Sequence, residues 1–529
     1  MDNSTIAGTL SDYSIIQGFL WNPTGLPWSR LLIAFLVISL GTWAYFPKSD
    51  GLIAPFVGYS SSWEPGFIAR LRFTFRSPSI ISEGYSKSRD STYRISRTDG
   101  DVIVIPRKYL DELHNAPPER LSSIQGLIKN FGGKYSGITL LGESEIGTRA
   151  LQSKITPRLV QFTDVMRDEL DYAIQKVLPD CQDWTSVSIQ PMMLNLIERV
   201  TNRVFVGLPL CRNEEWLDAL HRHAHNVTLT QVSMRLFPLF VRPLLNLVLP
   251  AAHRYRAAVR DSKRILVPEI ERRRRLEESD PDYEKPQDLL QAIMDLSTQG
   301  DKNSEPDNVA HRHLLVTLVA GHSVAAAGCQ AVFDLVSRPE YIEILRDEVL
   351  EVLRRDGGEW NKQTLGKLWK MDSFLRESQR WNPPSLLGFH RIVQDPEGFV
   401  LHDGVRLPPG AHVCITPASF GHDPSVIARA DEFDGLRYYA QRMRGPDEAN
   451  KHQHATVDRE HMHFGYGSWS CPGRFLASAE LKLILVELLL RWELRYPEGK
   501  SGPAKSSIEE FPYIDVNTPL LMKRRTAAM

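Results

Sequence analysis

"HMHFGYGSWSCPGRF", residues 461–475, holds two histidines, one cysteine and three glycines within fifteen positions. A zinc site, a flexible loop around a buried thiol, and the seat of another metal all compete for it. Structural zinc takes four N/S ligands, usually as two close pairs. Only one cysteine is available here, and no C-x-x-C occurs anywhere in the chain. His461 and His463 are two apart, so an extended segment puts them on one face, still short of four ligands. A glycine-rich loop around a free cysteine is the plain alternative, since free cysteines are often buried. The third reading needs one thiolate and a backbone that lets a large flat object come close.

Composition excludes several classes. The 529 residues carry 63 Lys+Arg against 64 Asp+Glu, a formal net charge of −1, and 42% hydrophobic residues. This is ordinary globular composition with a large core, and it carries no signature of nucleic-acid binding. Length alone suggests several domains at about 100–200 residues each, yet no long low-complexity linker or internal repeat divides the chain. The cysteines Cys181, Cys211, Cys329, Cys414 and Cys471 are scattered and odd in number, which points to a reducing compartment.

Residues 28–48, "WSRLLIAFLVISLGTWAYFPK", break the pattern. An apolar run over 31–46 lies between Arg30 and Lys48, with Trp28, Trp43 and Tyr45 near its edges. About 20 residues span a bilayer, and aromatic belts favour its interfaces. A signal peptide would carry positive charge before its apolar core and end at small residues. Residues 1–29 contain no Lys or Arg, and the run ends in Tyr45-Phe46-Pro47. The expectation is a transmembrane anchor over 29–47, preceded by a short lumenal segment, 1–28. The sequon Asn3-Ser4-Thr5 is a glycosylation acceptor in that orientation.

Beyond Pro47 the pattern is mainly α with small β-sheets. "DVIVIPRKYLDEL" predicts a strand over 101–105, stopped by Pro106 and followed by a helix. Helices are expected over 153–177, 192–206 and 257–276, the last kinked or restarted at Pro268. "ERRRRLEESD", flanked by Glu269, Glu277 and Glu278, is a solvated helix face rather than a nucleic-acid patch. "GFVLHDGVRLPPGAHVCITP" predicts short strands turning at Asp403-Gly404 and Pro409-Gly410. Helix returns over 475–494, with Leu481, Ile484, Leu485, Leu488 and Leu489 on its apolar face. "SMRLFPLFVRPLLNLVLP", residues 233–250, is apolar but interrupted by Pro238, Arg242 and Pro243, so it is not expected to span a membrane.

In the opening stretch, Phe464, Gly467, Cys471 and Gly473 spell F-x-x-G-x-x-x-C-x-G, followed by Arg474 and a predicted helix. This resembles the haem-binding loop of the cytochrome P-450 monooxygenases. The resemblance implies that Cys471, as thiolate, is the axial ligand of haem b iron, pushing electron density toward oxygen. Pro472 suits the first turn of the next helix, which leaves Cys471 near free N–H groups. Gly467 and Gly473 let the backbone turn and pass under the ring, and Phe464 shields the sulfur.

Upstream, "FLRESQRWNPPS" holds Glu377 and Arg380, three apart on one helix face. Glu269/Arg272, Glu271/Arg274 and Glu351/Arg354 match the same pattern and read as surface pairs; the following "WNPP" singles out Glu377/Arg380. The resemblance adds Arg437, from "DEFDGLRYY", to make a buried triad, and assigns Arg391, from "GFHRIV", to a haem propionate. It also implies that the helix around "HRHLLVTLVAGHSVAAAGCQAVFDLV" crosses the distal face, with Ala320 and Gly321 leaving room for oxygen. The family's acid–alcohol pair is altered here. Aligned on Ala-Gly, the pair becomes Ser323 and Val324. Aligned on the His-Thr-Thr form of many filamentous-fungal members, His322 stands for the histidine and Ser323 for the first threonine, which keeps a hydroxyl. Trp469 replaces a His or Arg that often contacts a propionate, and it carries no charge.

The resemblance covers about residues 60–520. It implies the cytochrome P-450 fold as one haem-thiolate catalytic domain over 48–529, anchored in the endoplasmic reticulum membrane with the domain cytosolic. It is strongest for microsomal fungal members similar to ent-kaurene oxidase and to terpenoid or alkaloid tailoring enzymes. Electrons are then supplied from NADPH by a cytochrome reductase, with cytochrome b5 as a second donor. Lys362, Lys367, Lys370 and Lys482 offer a basic docking surface, and residues 233–250 a lid touching the bilayer. The implied activity is oxidation of an apolar secondary metabolite, terpenoid or of mixed origin. The alternative is a haem-thiolate isomerase or lyase working without NADPH.

Overall fold

Helices Leu159–Val177, Ile189–Phe205, Pro306–Val336 and Arg474–Arg491 bring their apolar stripes together in one bundle. Met166, Leu170, Met193, Val200, Cys329, Leu481 and Leu485 are all buried in it. Gly328 sets how closely the bundle packs. A Cβ there would stand 2.6 Å from Met193 Cε and 2.7 Å from Leu481 Cδ2, so both of those side chains would have to shift. Two further helices, Glu214–Leu236 and Pro250–Ser279, pack along each other and against Pro306–Val336. Asn213 starts the first of them, its side chain accepting the Trp216 N–H at 3.0 Å.

This computed structural model describes residues 54–526 apart from 238, 240, 298–301 and 359–361. The expected anchor at 29–47, the segment before it and the Asn3 sequon lie outside the described residues. Among those described, Pro306–Val336 is long and apolar enough to cross a membrane, with a mean hydropathy of 1.5. It lies mid-chain and packs in the bundle, where burial from neighbouring helices accounts for its apolar character.

The strands form a minor layer. A six-stranded sheet runs Phe56–Val57, Tyr93–Arg97, Gly100–Val104, His412–Ile415, Gly388–Val393, Leu121–Ser122. Three smaller sheets join Trp492–Arg495, Pro519–Arg524 and Thr185–Ser188; Lys505–Ile508 with Phe511–Ile514; and Phe399–Val400 with Arg406–Leu407. The last pair turns at Gly404, whose φ is 88°.

Several boundaries differ from expectation. The predicted 153–177 helix begins at Leu159, because Pro157 lacks an N–H and the chain before it winds as the short turns Leu151–Ile155 and Thr156–Arg158. Pro268 does not restart its helix, which runs unbroken over Pro250–Ser279. The buried face Val259, Ser262, Leu266, Ile270 and Arg273 carries it through the missing hydrogen bond. Residues 233–250 split into the end of Glu214–Leu236 and a short helix Arg242–Val248, on which Leu244, Leu247 and Val248 are about two-thirds exposed.

Candidate active site

Left-handed glycines wind the Cys471 loop. Gly465 and Gly467 have φ of 80° and 72°. A Cβ on Gly467 would stand 2.9 Å from His114 O, and one on Gly465 3.2 Å from Ser470 Cα. The Cys471 N–H donates to Phe464 O at 2.7 Å, which closes the loop. Gly473 has a right-handed φ of −89°, and a Cβ there would meet no protein atom within 4 Å. Neither backbone nor packing demands glycine at that position, and the missing side chain leaves open space in which a flat ring would fit. Sequence reading selected Gly467 and Gly473 and missed Gly465, although its place directly after Phe464 was a usable signal.

Arg474 Nη1 donates to Cys471 O at 2.8 Å and ties the loop to the helix Arg474–Arg491. Burial pushes the Cys471 thiol up, opposed by the N–H groups of Gly473 and Arg474 and by the Arg474 cation. Those same donors favour the anion once iron replaces the proton. Phe464 packs edge-on to His454 at 5.3 Å, half-buried beside the loop.

Arg391 is aimed by a distortion in its strand. The ladder between Gly388–Val393 and His412–Ile415 slips between Gly388 and Arg391, and Phe389 adopts φ 56°. A bulge of this kind re-aims a side chain. The buried guanidinium lies over the Phe389 ring at 3.9 Å and donates to His390 O at 2.9 Å. No carboxylate among the described residues pairs with it, and burial lowers its pKa to about 9. A buried cation of this kind calls for an external carboxylate.

The predicted triad meets. Arg380 Nη2 and Nε donate to Glu377 Oε1 and Oε2 at 2.7 and 2.8 Å, and Arg437 Nε reaches Oε2 at 3.2 Å. Arg380 also donates to the carbonyls of Gly421, Ala430 and Glu432, and Arg437 to those of Ala428, Arg429 and Glu432. One carboxylate thus holds two guanidiniums that together gather the 421–437 segment. The other candidate pairs lie at or near the surface: Glu269 binds Arg272 and Arg273, and Glu351 binds Arg355 rather than Arg354.

On Pro306–Val336, Val319, Ser323 and Ala326 form an exposed stripe in mid-helix, Val319 being 46% exposed. Gly321, Val324 and Ala325 on the other side are buried, and Ala320 is half-buried. Ser323 Oγ donates to Val319 O at 2.8 Å. Ser323, not Val324, presents its side chain on this stripe. His322 turns away from the stripe toward Glu198 on Ile189–Phe205.

One residue is placed differently from its sequence reading. Lys482 is buried rather than part of a docking surface; it pairs with Asp372 Oδ1 at 2.7 Å and donates to Leu365 O at 3.0 Å. It lies on the same apolar helix as Leu481 and Leu485, and only the opposing Asp372 makes its burial tolerable. His461 and His463 stack edge to face at 4.8 Å, and burial holds both neutral. Among the described residues no three His, Cys, Asp or Glu side chains converge as a metal set.

A single cysteine on a tight loop at a helix start, an uncompensated buried arginine and a glycine open to empty space together fit haem b with thiolate ligation. That makes this a haem-thiolate protein. The cytochrome P450 family model matches residues 145–513, and the chain belongs to that family. It is 63% identical to the cytochrome P450 monooxygenase terK of Tolypocladium album, over 94% of this chain and 95% of that protein. It is 50% identical to the cytochrome P450 monooxygenase ltmK of Epichloe festucae, over 95% and 94%, and 35% identical to the ent-kaurene oxidase of Gibberella intermedia, over 93% of each. Among solved structures, a retinoic-acid-bound cyanobacterial CYP120A1 superposes with a TM-score of 0.64 at 16% identity, over 86% of this chain and 96% of that one. The chain is thus a cytochrome P450 monooxygenase, an oxidoreductase that incorporates oxygen and takes haem b as cofactor.

Proposed function

We propose that this enzyme hydroxylates, or oxidises in successive steps, an apolar terpenoid-type or mixed-origin metabolite in a fungal biosynthetic pathway. The relatives' names support this reading: two fungal monooxygenases at half identity or more, and an ent-kaurene oxidase at lower identity. The observation that carries it is the exposed stripe Val319–Ser323–Ala326, apolar except for one hydroxyl, in the middle of an otherwise packed helix. An apolar substrate fills such a surface by contact area alone.

Haem bound through Cys471 supplies dioxygen activation, and a reductase supplies the electrons. The chain's own residues do the rest. Arg391 neutralises a propionate and is itself neutralised by it. Gly465 and Gly467 hold the sulfur loop in one shape. Val319 and Ala326 exclude water from the substrate, and the Ser323 hydroxyl, which donates and accepts, passes protons to the oxygen being reduced. Ser323→Ala is expected to lower product formed per NADPH and raise hydrogen peroxide, while Ser323→Thr preserves coupling with a more restricted rotamer. Equal coupling in wild type and the alanine variant would remove Ser323 from proton delivery. Turnover of an oxygenated substrate without NADPH would favour the isomerase class instead.

We also read the protein as single-pass in the endoplasmic reticulum membrane, with residues 48–529 cytosolic. The apolar run 31–46 and the exposed Leu244, Leu247 and Val248 support this. Deleting residues 1–47 is expected to release most of the protein from microsomes under alkaline carbonate. Full retention would place the anchor elsewhere.

A further inference from the structure

Helix Gly66–Lys87 ends beside the six-stranded sheet, and a cleft of about 310 Å³ lies at that junction. None of its lining residues belongs to the Cys471 loop or to Pro306–Val336, so it is separate from the oxygenase centre. Ligand pockets run from about 300 to 1,000 Å³ and combine apolar walls with a few polar groups. This cleft has that build. Val104, Ile105, Ile415 and Phe420 form its floor, each no more than 2% exposed. Tyr93 stands in its wall, and Gly84 makes room for the ring, since a Cβ there would lie 2.4 Å from Tyr93 Cε2. Tyr93 is 2% exposed, and its hydroxyl has no hydrogen-bond partner among the described residues. Leaving a buried hydroxyl unpaired is costly, so a ligand that accepts from it is favoured.

The charges around the cleft do not cancel. Arg89, Arg107, Lys108 and Arg459 line it, against the single carboxylate of exposed Asp90. Three of these cations are met by carboxylates that lie outside the lining. Arg89 pairs with Asp423 at 2.8 Å, Lys108 with Asp403 at 3.1 Å, and Arg459 with Asp111. Arg107 is the exception. Its half-buried guanidinium lies 5.6 Å from the centre of the Phe420 ring, and no described residue gives it an ion pair or a side-chain hydrogen bond.

We propose that this cleft is a second binding site, for a small apolar molecule that carries one carboxylate. The Arg107 guanidinium presents a fork of N–H donors that matches a carboxylate, and one uncompensated cation calls for one negative charge. The Tyr93 hydroxyl is a further donor, and the buried floor holds the apolar body by contact area. A phosphate monoester would bring a second charge that no free cation around the cleft meets. An acidic side chain of a partner protein would stay among the exposed cations and leave the floor empty. Both chemistries fit the cleft less well than an apolar acid, which uses the floor and Arg107 together.

The test is equilibrium dialysis of the full-length holoenzyme, in mild detergent, against naphthoate as the probe. The iron side is first closed with phenylimidazole, whose binding the Soret band reports. Naphthoate should still be retained. Arg107→Met keeps the side-chain length without the charge and should weaken retention by about tenfold or more, the worth of a hydrogen bond to a charged group. Arg107→Lys should keep part of the affinity. The neutral naphthamide should bind wild type as weakly as naphthoate binds Arg107→Met. Val426→Trp, which fills the cleft from a half-buried position in its lining, should abolish retention. Unchanged retention in Arg107→Met would overturn the site, as would complete release of naphthoate by phenylimidazole. Equal retention of naphthamide and naphthoate would overturn the carboxylate. Inorganic phosphate or a glutamate-rich peptide displacing naphthoate at equal concentration would overturn the apolar acid in favour of a phosphate or a protein partner. The thiolate band of each variant, reduced under CO, reports that it is folded and haem-loaded. Where Arg107→Met lacks that band, Arg107→Gln takes its place with the same expected loss.

Discussion

Cys471→Ala is expected to give a folded chain with no red-shifted Soret band when reduced under CO, and with no turnover. The band arises from thiolate ligation, and Cys471 is the sulfur placed at the start of Arg474–Arg491 with backbone N–H groups to favour its anion. The remaining four cysteines are buried, and desolvation holds each thiol protonated, so none substitutes for it. Cys329→Ala is the control. It removes a sulfur from the core at a packing cost and should keep the band. A thiolate band persisting in Cys471→Ala would refute the ligand assignment.

Glu377→Ala should have the largest effect on stability. Glu377, Arg380 and Arg437 are all buried, so removing the carboxylate leaves two guanidiniums close together with no counter-charge. Breaking a buried pair in this way costs about 3–5 kcal/mol. That is a large part of the roughly 5–15 kcal/mol by which a domain is stable. The chain should accumulate without haem, or unfold at much lower urea than wild type. Glu351→Ala, which removes an exposed pair with Arg355, should leave the midpoint nearly unchanged. Equal midpoints for Glu377→Ala and wild type would show that the carbonyl partners of Arg380 and Arg437 carry the scaffold alone.

The Cys471 loop could be read from the chain because its requirements are local. Gly467, Cys471 and the helix start fall within ten residues, and left-handed φ with a free helix end needs no distant partner to be recognised. Glu377 and Arg380 were visible for the same reason, being one turn apart on one helix. Five pairs in the sequence share that spacing, however, and the burial that separates this pair from the others comes from the 421–437 segment folding over it.

Sequence by itself determined the family and the mainly helical class, and it singled out one cysteine on a glycine-rich loop at a helix start. These depend on residue identity at short spacing, where steric and hydrogen-bonding needs act between near neighbours. Tertiary structure alone decided which way charged side chains point. Arg391 is aimed by a strand bulge paired with residues 412–415, and Lys482 is drawn inward by Asp372 more than a hundred residues away. Gly321 leaves room for Glu198, which lies on another helix. A charge is stable in an interior only where a partner from elsewhere in the chain meets it, and that meeting is a property of packing rather than of local sequence.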